Sequence, residues 1–409
     1  MKHLIVIGGG AAGIFCAINA ARIHSELQVT VIEKSNKLLS KVRVSGGGRC
    51  NVTHHCSNVS ELLKKYPRGI HFLKKSFSHF NHFDTINWFQ ERGVTLKTES
   101  DGRMFPNTDS SETIIHCLMT ELNTYRVNVM MNAQVQSLAK DNEKKLFTLY
   151  LQNGKMLQAD YVCVATGGLN KSEQFNWLKS TGHNLVAPVP SLFTFNIPDN
   201  NIRELMGISI PNAIVKIPSF NIKNQGAVLI THWGLSGPAV ITLSAWGARE
   251  MHGSDYQFDV IVHWLPDYHE QQLRESLLQY SRELASQKIM NRNPFGLPER
   301  FWKYQLETAE LKPDTRWADL PAASRNKLAV QLTGQKFSVK GKTTFKEEFV
   351  TAGGIELSEI DPHTMESKLV SGLYFAGEMM DVDGVTGGFN FQHAWTSGWI
   401  AANLGNQVA

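Results

Sequence analysis

Four consecutive apolar residues, Leu4-Ile5-Val6-Ile7, stop at Gly8-Gly9-Gly10. An Ala-rich stretch follows from Ala11, and a second apolar run, Val29-Thr30-Val31-Ile32, ends on Glu33. A short unbroken apolar run bounded by glycines predicts a strand buried on both faces, so the segment reads as strand, glycine turn, helix, strand, acid. Gly8 permits the tight turn, Gly10 lets the backbone approach a pyrophosphate, and Gly13 lets the helix pack on the sheet with its N-terminus toward the phosphates. Glu33 falls 20 residues after Gly13, where a carboxylate accepts hydrogen bonds from ribose hydroxyls. The pattern implies a bound adenine dinucleotide.

The other end of the chain repeats this logic. Leu373-Tyr374-Phe375-Ala376 reads as a buried strand and Gly377-Glu378 follows it. Asp381-Val382-Asp383-Gly384-Val385-Thr386-Gly387-Gly388-Phe389-Asn390 then leads into an Ala/Trp/Gly-rich helical stretch. An acid after the strand can hold a ribityl hydroxyl, and amide groups at the start of the last helix can face the flavin O2 and N1 and stabilise negative charge there. Both ends converge on FAD.

Between them, helical patterning is predicted around Ser60 to Lys65, Phe83 to Arg92 and Ser111 to Thr124. A β-meander over Val127 to Met131, Val135 to Leu138, Phe147 to Gln152 and Tyr161 to Ala165 follows. Thr166-Gly167-Gly168 closes it, and no second glycine fingerprint appears further on. Residues 191–265 read as short β segments broken by Pro and Gly, among them Phe193 to Ile197, Ala213 to Ile217 and Phe258 to His263. Residues 267–336 turn helical and polar, punctuated by Pro294, Pro298, Pro313 and Pro321. The expected organisation is a first FAD-binding part over 1–190, a β-barrel-like insert over 191–266, a helical subdomain within it over 267–336, and the return with the second FAD-binding part over 337–409.

The 409 residues suffice for two or three domains, and 42% hydrophobic with 19% charged content is that of an ordinary soluble globular protein. No apolar run reaches the roughly 18 residues a membrane helix needs and no cationic leader precedes the first strand, which points to a cytoplasmic protein without a membrane partner. The five cysteines (Cys16, Cys50, Cys56, Cys117 and Cys163) form no C-x-x-C pair, so neither a disulfide framework nor a metal site is expected. The net charge of +4 is uneven: residues 267–346 hold 14 Lys and Arg against 9 Asp and Glu, leaving about −1 for the rest by subtraction. Lys303, Arg316, Arg325, Lys327, Lys336 and Lys340 could meet a polyanion there, or be ordinary solvated lysines and arginines.

Several ordered motifs resemble the BaiN/RdsA-type bacterial FAD flavoproteins over nearly the whole chain. They are Ile7 to Gly13, Ser45-Gly46-Gly47-Gly48-Arg49-Cys50-Asn51, Thr231-His232-Trp233-Gly234-Leu235-Ser236-Gly237-Pro238, Val350-Thr351-Ala352-Gly353-Gly354, and Gly377-Glu378 through Asp383 to Asn390. The resemblance implies an α/β, glutathione-reductase-like FAD-binding Rossmann domain, interrupted by a β-barrel-like insert that carries a small helical subdomain. It further implies FAD contacts from Ala12, Lys34, Lys41, Gly47, Gly48, Asn51, Val135 and Ala165-Thr166-Gly167, beside Gly377, Glu378, Asp383, Gly388, Phe389 and Asn390. Activities in such a family include NADH-dependent reduction of a uridine in 23S ribosomal RNA, reduction of steroid intermediates, and oxidation of aminoacetone. One departure stands out: after Gly168 the chain runs almost directly through Leu169-Asn170-Lys171 into the helical Phe175 to Ser180, a shortening that would remodel one wall of the pocket.

Residues that could carry chemistry are few. Gly46, Gly47 and Gly48 can expose backbone N–H groups to flavin or pyrophosphate oxygens. Cys50 could deliver a proton beside the flavin, or pack as a small buried residue. Arg49 could grip a phosphate or form a surface ion pair. His232 with Trp233 could meet a flipped base, or be a packed loop. The expected activity is that of an FAD enzyme with NADH or NADPH as transient reductant, acting on a uridine of ribosomal RNA held by the basic insert. The alternatives are a small-molecule oxidase or C=C reductase with an aminoacetone-like or steroid-like substrate, and an RNA-binding assembly factor with a structural flavin. DNA is not an expected partner.

Overall fold

The strand Lys2–Ile7 is central because Leu4, Ile5 and Val6 are fully buried, as the apolar run requires. It lies between Leu27–Ile32 and Tyr161–Val164, and the sheet continues to Asn128–Met130 on one side and Leu373–Phe375 on the other. All four pairings are parallel, so every strand delivers its carboxyl end to one edge. In open parallel sheets that edge is where ligands bind.

The computed structural model describes residues 1–169, 171–343 and 350–405. Asn170, within the shortened segment after Gly168, and the return expected from about 344 to 349 lie outside the described residues. The chain forms two units, Met1–Ser191 with Lys346–Ala409, and Leu192–Phe345.

In the first unit the helices Ala11–Ile23 and Phe389–Ala401 pack closely: a Cβ on Gly398 would sit 2.6 Å from the Ala12 carbonyl oxygen. Phe15 joins them, its ring 4.6 Å from Trp88 and 5.2 Å from Trp395 between centroids. Burying such rings stabilises the unit by about 1.5–3 kcal/mol each. The meander differs from the sequence reading. Only Val135–Asp141, Leu146–Leu151 and Met156–Ala159 form it, whereas Asn128–Met130 and Tyr161–Val164 join the parallel sheet. Apolar runs of that length fit either sheet, and the choice is made by long-range pairing. The structure also adds a helix, Ile70–Ser76.

The second unit holds a seven-stranded antiparallel sheet ordered Gln335–Lys340, Gln257–His263, Ser209–Ile217, Ile222–Ile230, Gly234–Ser236, Thr194–Asn196, Lys342–Thr343. Its two edge strands are consecutive in sequence and separated only by Gly341, whose φ is +97°. One kinked segment therefore supplies both edges and the sheet must curl, but no ladder pairs the edges among the described residues. The expected barrel-like insert is a curled sheet without closure. The helices Glu270–Glu283, Glu299–Thr308 and Ala322–Gly334 share its core through Leu273, Leu277, Trp302 and Leu328, all fully buried. Among the described residues no helix is long and apolar enough to cross a membrane.

Candidate cofactor site

The glycine turn after the first strand is shaped by what surrounds each residue. Gly8 has φ +116°, and a Cβ there would lie 2.3 Å from the Ala165 carbonyl oxygen; a Cβ on Gly13 would lie 2.0 Å from the Gly8 oxygen. Gly10 is exposed with nothing within 4 Å of a Cβ position. It caps Ala11–Ile23 without any side-chain cap and with no acid in the first turn, so the first helical N–H groups are left for an anion. Glu33 lies at the end of its strand, accepting from Gly9 N at 2.8 Å and Ser35 N at 2.8 Å. Each carboxylate oxygen keeps a second lone pair for a ribose hydroxyl. Lys34 is exposed beside it, and Val135 follows Ala133, whose N–H donates to the Glu33 carbonyl at 2.8 Å.

Two more turns complete the edge. Ala165 N donates to Ile7 O at 2.8 Å, and the Thr166 hydroxyl lies 3.2 Å from Met379 Sδ. Gly167, at φ +75°, faces open space, whereas a Cβ on Gly168 would meet Glu378 Oε1 at 2.4 Å. Glu378 accepts from Thr351 N at 2.8 Å and from Lys41 Nζ at 2.7 Å, and its side chain is 16% exposed. Gly377 is held by Ser397 and His393 of the last helix, its N–H donating to Ser397 Oγ at 2.8 Å and its carbonyl lying 3.1 Å from His393 Nε2. Burial pushes the His393 imidazole down to about 4, so the ring is neutral near pH 7, with Nε2 donating to that carbonyl.

The glycine loop and the C-terminal loop meet through Asn51. Its side-chain oxygen, oriented to satisfy both partners, accepts from Gly388 N at 3.0 Å while its amide donates to Thr53 O at 3.0 Å. Gly46, Gly47 and Gly48 all have positive φ, and Gly47 and Gly48 are exposed with nothing near a Cβ position. Asn390 clamps its own loop, accepting from Gly384 N at 2.8 Å and donating to Gly384 O at 2.9 Å. Phe389 is buried: Tyr66 donates its hydroxyl to the Phe389 carbonyl at 2.7 Å, and His54 stacks on its ring at 4.6 Å. Thr351 lies in the Val350 to Gly354 motif without having been given a role there, and His54, Tyr66 and His393 are site neighbours that the sequence reading missed, since no spacing marks them and only the fold delivers them.

Other expected residues are placed elsewhere. Cys50 is fully buried at φ +61°, and burial pushes its thiol up to about 12. Its burial holds with only protein atoms around it, so it lines no open space. Asp383 is completely buried, and Arg68 engages both its oxygens while Ser191 donates to one of them at 2.9 Å. A carboxylate so enclosed braces Arg68 against the C-terminal loop. Arg49 pairs with Glu99 at 2.6 Å and stacks on Phe105 at 3.9 Å, which is the ion-pair alternative. His232 lies exposed at the Thr231–Gly234 turn of the second unit, 4.1 Å from the Trp233 ring centroid. Four of the six insert cations singled out in the sequence are engaged by carboxylates: Lys303 pairs with Glu299, Lys327 with Glu310, Lys336 with Asp259 and Lys340 with Asp199.

These residues fit FAD. Gly10, Gly47, Gly48 and Gly167 leave backbone facing open space, and Thr351 Oγ1 and His393 Nδ1 are buried without hydrogen-bond partners, a condition that a polar ligand relieves. The model of the HI0933-like protein Rossmann domain matches residues 2–404, and the chain belongs to this family of FAD-dependent oxidoreductases. It is 31% identical over 97% of its length to "Ribosomal RNA dihydrouridine synthase" of Escherichia coli (strain K12), covering 96% of that protein. It is 27% identical over 98% to "3-dehydro-bile acid delta(4,6)-reductase" of Clostridium scindens, covering 98% of it. Among solved structures, 3-ketosteroid delta1-dehydrogenase from Sterolibacterium denitrificans matches with a TM-score of 0.50 and 13% identity, over 98% of this chain and 99% of that one. That likeness establishes a shared fold.

Proposed function

We propose that this member of the HI0933-like family takes hydride from NADH or NADPH and reduces a uridine of 23S ribosomal RNA to dihydrouridine, in the cytoplasm. The observation that carries the reading is the similarity, across 96–97% of both chains, to a protein named for that reaction in Escherichia coli; a Haemophilus influenzae protein of the same name is 30% identical. Bound FAD supplies two-electron hydride chemistry.

The chain's own residues bind and orient. The open N-terminus of Ala11–Ile23 and the backbone at Gly10 meet the pyrophosphate, Glu33 holds the adenosine ribose, and Glu378, steadied by Lys41 and Thr351, offers a lone pair to a ribityl hydroxyl. The start of Phe389–Ala401, left without a side-chain cap, directs N–H groups toward developing negative charge. Only one dinucleotide fingerprint exists in the sequence, so the nicotinamide reductant binds transiently. Uracil reduction adds hydride to C6 and a proton to C5, after the base is extruded at a cost of a few kcal/mol.

Mass mapping of ribosomal RNA from cells with and without the gene tests this. Loss of one dihydrouridine in the deletion strain, restored by the gene, is expected; unchanged dihydrouridine content refutes it. The similarity to the bile-acid reductase supports a second reading, C=C reduction in a small molecule. Under that reading the RNA is unchanged while a purified sample turns over an unsaturated ketone.

A further inference from the structure

We propose that the cleft between the helix Ile70–Ser76 and residues 357–368 is a docking groove for RNA backbone phosphate, a reading that rests on the RNA substrate proposed above. The cleft measures about 400 Å³ and is lined by the apolar Phe72, Leu357 and Ile360 together with His71, Lys75 and Lys368.

Three observations support the assignment. First, the cleft lysines differ from four lysines of the insert. No carboxylate lies within ion-pair distance of His71, Lys75 or Lys368 among the described residues, while four insert lysines are paired. An unpaired cation releases counterions on meeting phosphate without first surrendering a carboxylate. Second, the acids of the neighbouring loop are already engaged by hydrogen-bond donors. Glu356 accepts from Ser358, Glu359 from Asn184, Asp361 from His363 N and Glu366 from Gly372 N, and none of the four lines the cleft. Lys368 is fixed in place by its 2.8 Å bond to the Ser358 carbonyl. Third, the groove backs onto the cofactor loop. A Cβ on Gly69, in its wall, would meet Val382 Cγ2 at 2.7 Å, and Arg68 grips Asp383 next in line. A strand of RNA held here therefore lies one residue layer from the Gly384 to Asn390 turn.

The test uses the FAD-loaded full chain and a short fluorescein-labelled oligouridylate, titrated by anisotropy at several salt concentrations. The double substitution Lys75→Gln/Lys368→Gln should weaken binding about tenfold and reduce the slope of log affinity against log salt by about 1.4, from about 0.7 per phosphate contact. FAD content and thermal unfolding should stay at parental values. The companion variant Lys303→Gln/Lys327→Gln/Lys336→Gln/Lys340→Gln should change the affinity less than twofold. An unaltered slope in the cleft variant, or a larger loss in the insert variant, overturns the assignment. So does unchanged oligouridylate binding with a raised KM for NADH, which would make the groove a dinucleotide site. Cells whose ribosomal RNA lacks any dihydrouridine made by this protein would refute the enzymatic reading alone, and oligouridylate binding through the cleft would still be read directly.

Discussion

Alanine at Gly8 and alanine at Gly10 should fail in different ways, although both glycines belong to one turn. A Cβ on Gly8 would lie 2.3 Å from the Ala165 carbonyl oxygen and 2.7 Å from its carbon, in a residue at φ +116°. Both atoms are backbone at the end of the neighbouring strand, so the contact is relieved only if the strand ends separate. The φ strain costs about 1–2 kcal/mol and the overpacking a further 1–3 kcal/mol or so, about 3 kcal/mol together. At about 2–4 °C per kcal/mol for a domain of this size, the flavin-stripped Gly8→Ala protein should unfold about 6–12 °C below the parent. Gly10 has an ordinary φ of −87° and nothing within 4 Å of its Cβ position. Its alanine variant should keep the parental Tm without cofactor, yet lose FAD affinity about tenfold or more, because the methyl fills the space the pyrophosphate approaches. Scanning fluorimetry of stripped and loaded samples, with FAD fluorescence after gel filtration, reads both effects. A parental Tm for Gly8→Ala, a depressed Tm for stripped Gly10→Ala, or full FAD retention by Gly10→Ala would refute the reasoning.

Two further outcomes are expected. Burial holds the His393 imidazole at about 4 in the fold, against about 6.5 when unfolded, so the unfolded chain binds more protons in that window and stability is lost as pH falls through it, by about 3 kcal/mol at most. Burial also lowers His3, His54, His82, His183 and His263, so the comparison is with His393→Gln, whose denaturant-measured stability should fall less between about pH 7 and pH 4.5; identical losses would contradict the assignment. All five cysteines are buried, so native protein should show no fast thiol toward a disulfide reagent at about pH 8, and Cys50→Ala should keep turnover within about threefold; rapid labelling of native Cys50, or a hundredfold loss of turnover, would return the thiol to the role of proton donor.

The sequence by itself determined the cofactor class and the edge of the sheet that receives it. Gly8, Gly13 and Glu33 act within one strand-turn-helix-strand unit, where a glycine's φ and a run of buried positions are properties of about thirty neighbouring residues. The same holds for the open glycines of the Ser45 to Asn51 loop and for the strand and turn at Leu373 to Glu378. Tertiary structure decided what each charged or reactive side chain does. Asp383 reads as a cofactor ligand until Arg68, 315 residues away, takes both its oxygens, and Glu378 is completed by Lys41 across 337 residues. Cys50 became a buried packing residue and Lys303, Lys327, Lys336 and Lys340 became ion pairs, while Lys75 and Lys368, far apart in sequence, were brought to one cleft. The strand at Tyr161–Val164 and the curl of the insert about Gly341 were likewise settled by pairing across the fold. Backbone shape is encoded locally, because dihedral preference and apolar periodicity are local; the charge state and partner of a side chain depend on burial and on residues brought from far along the chain.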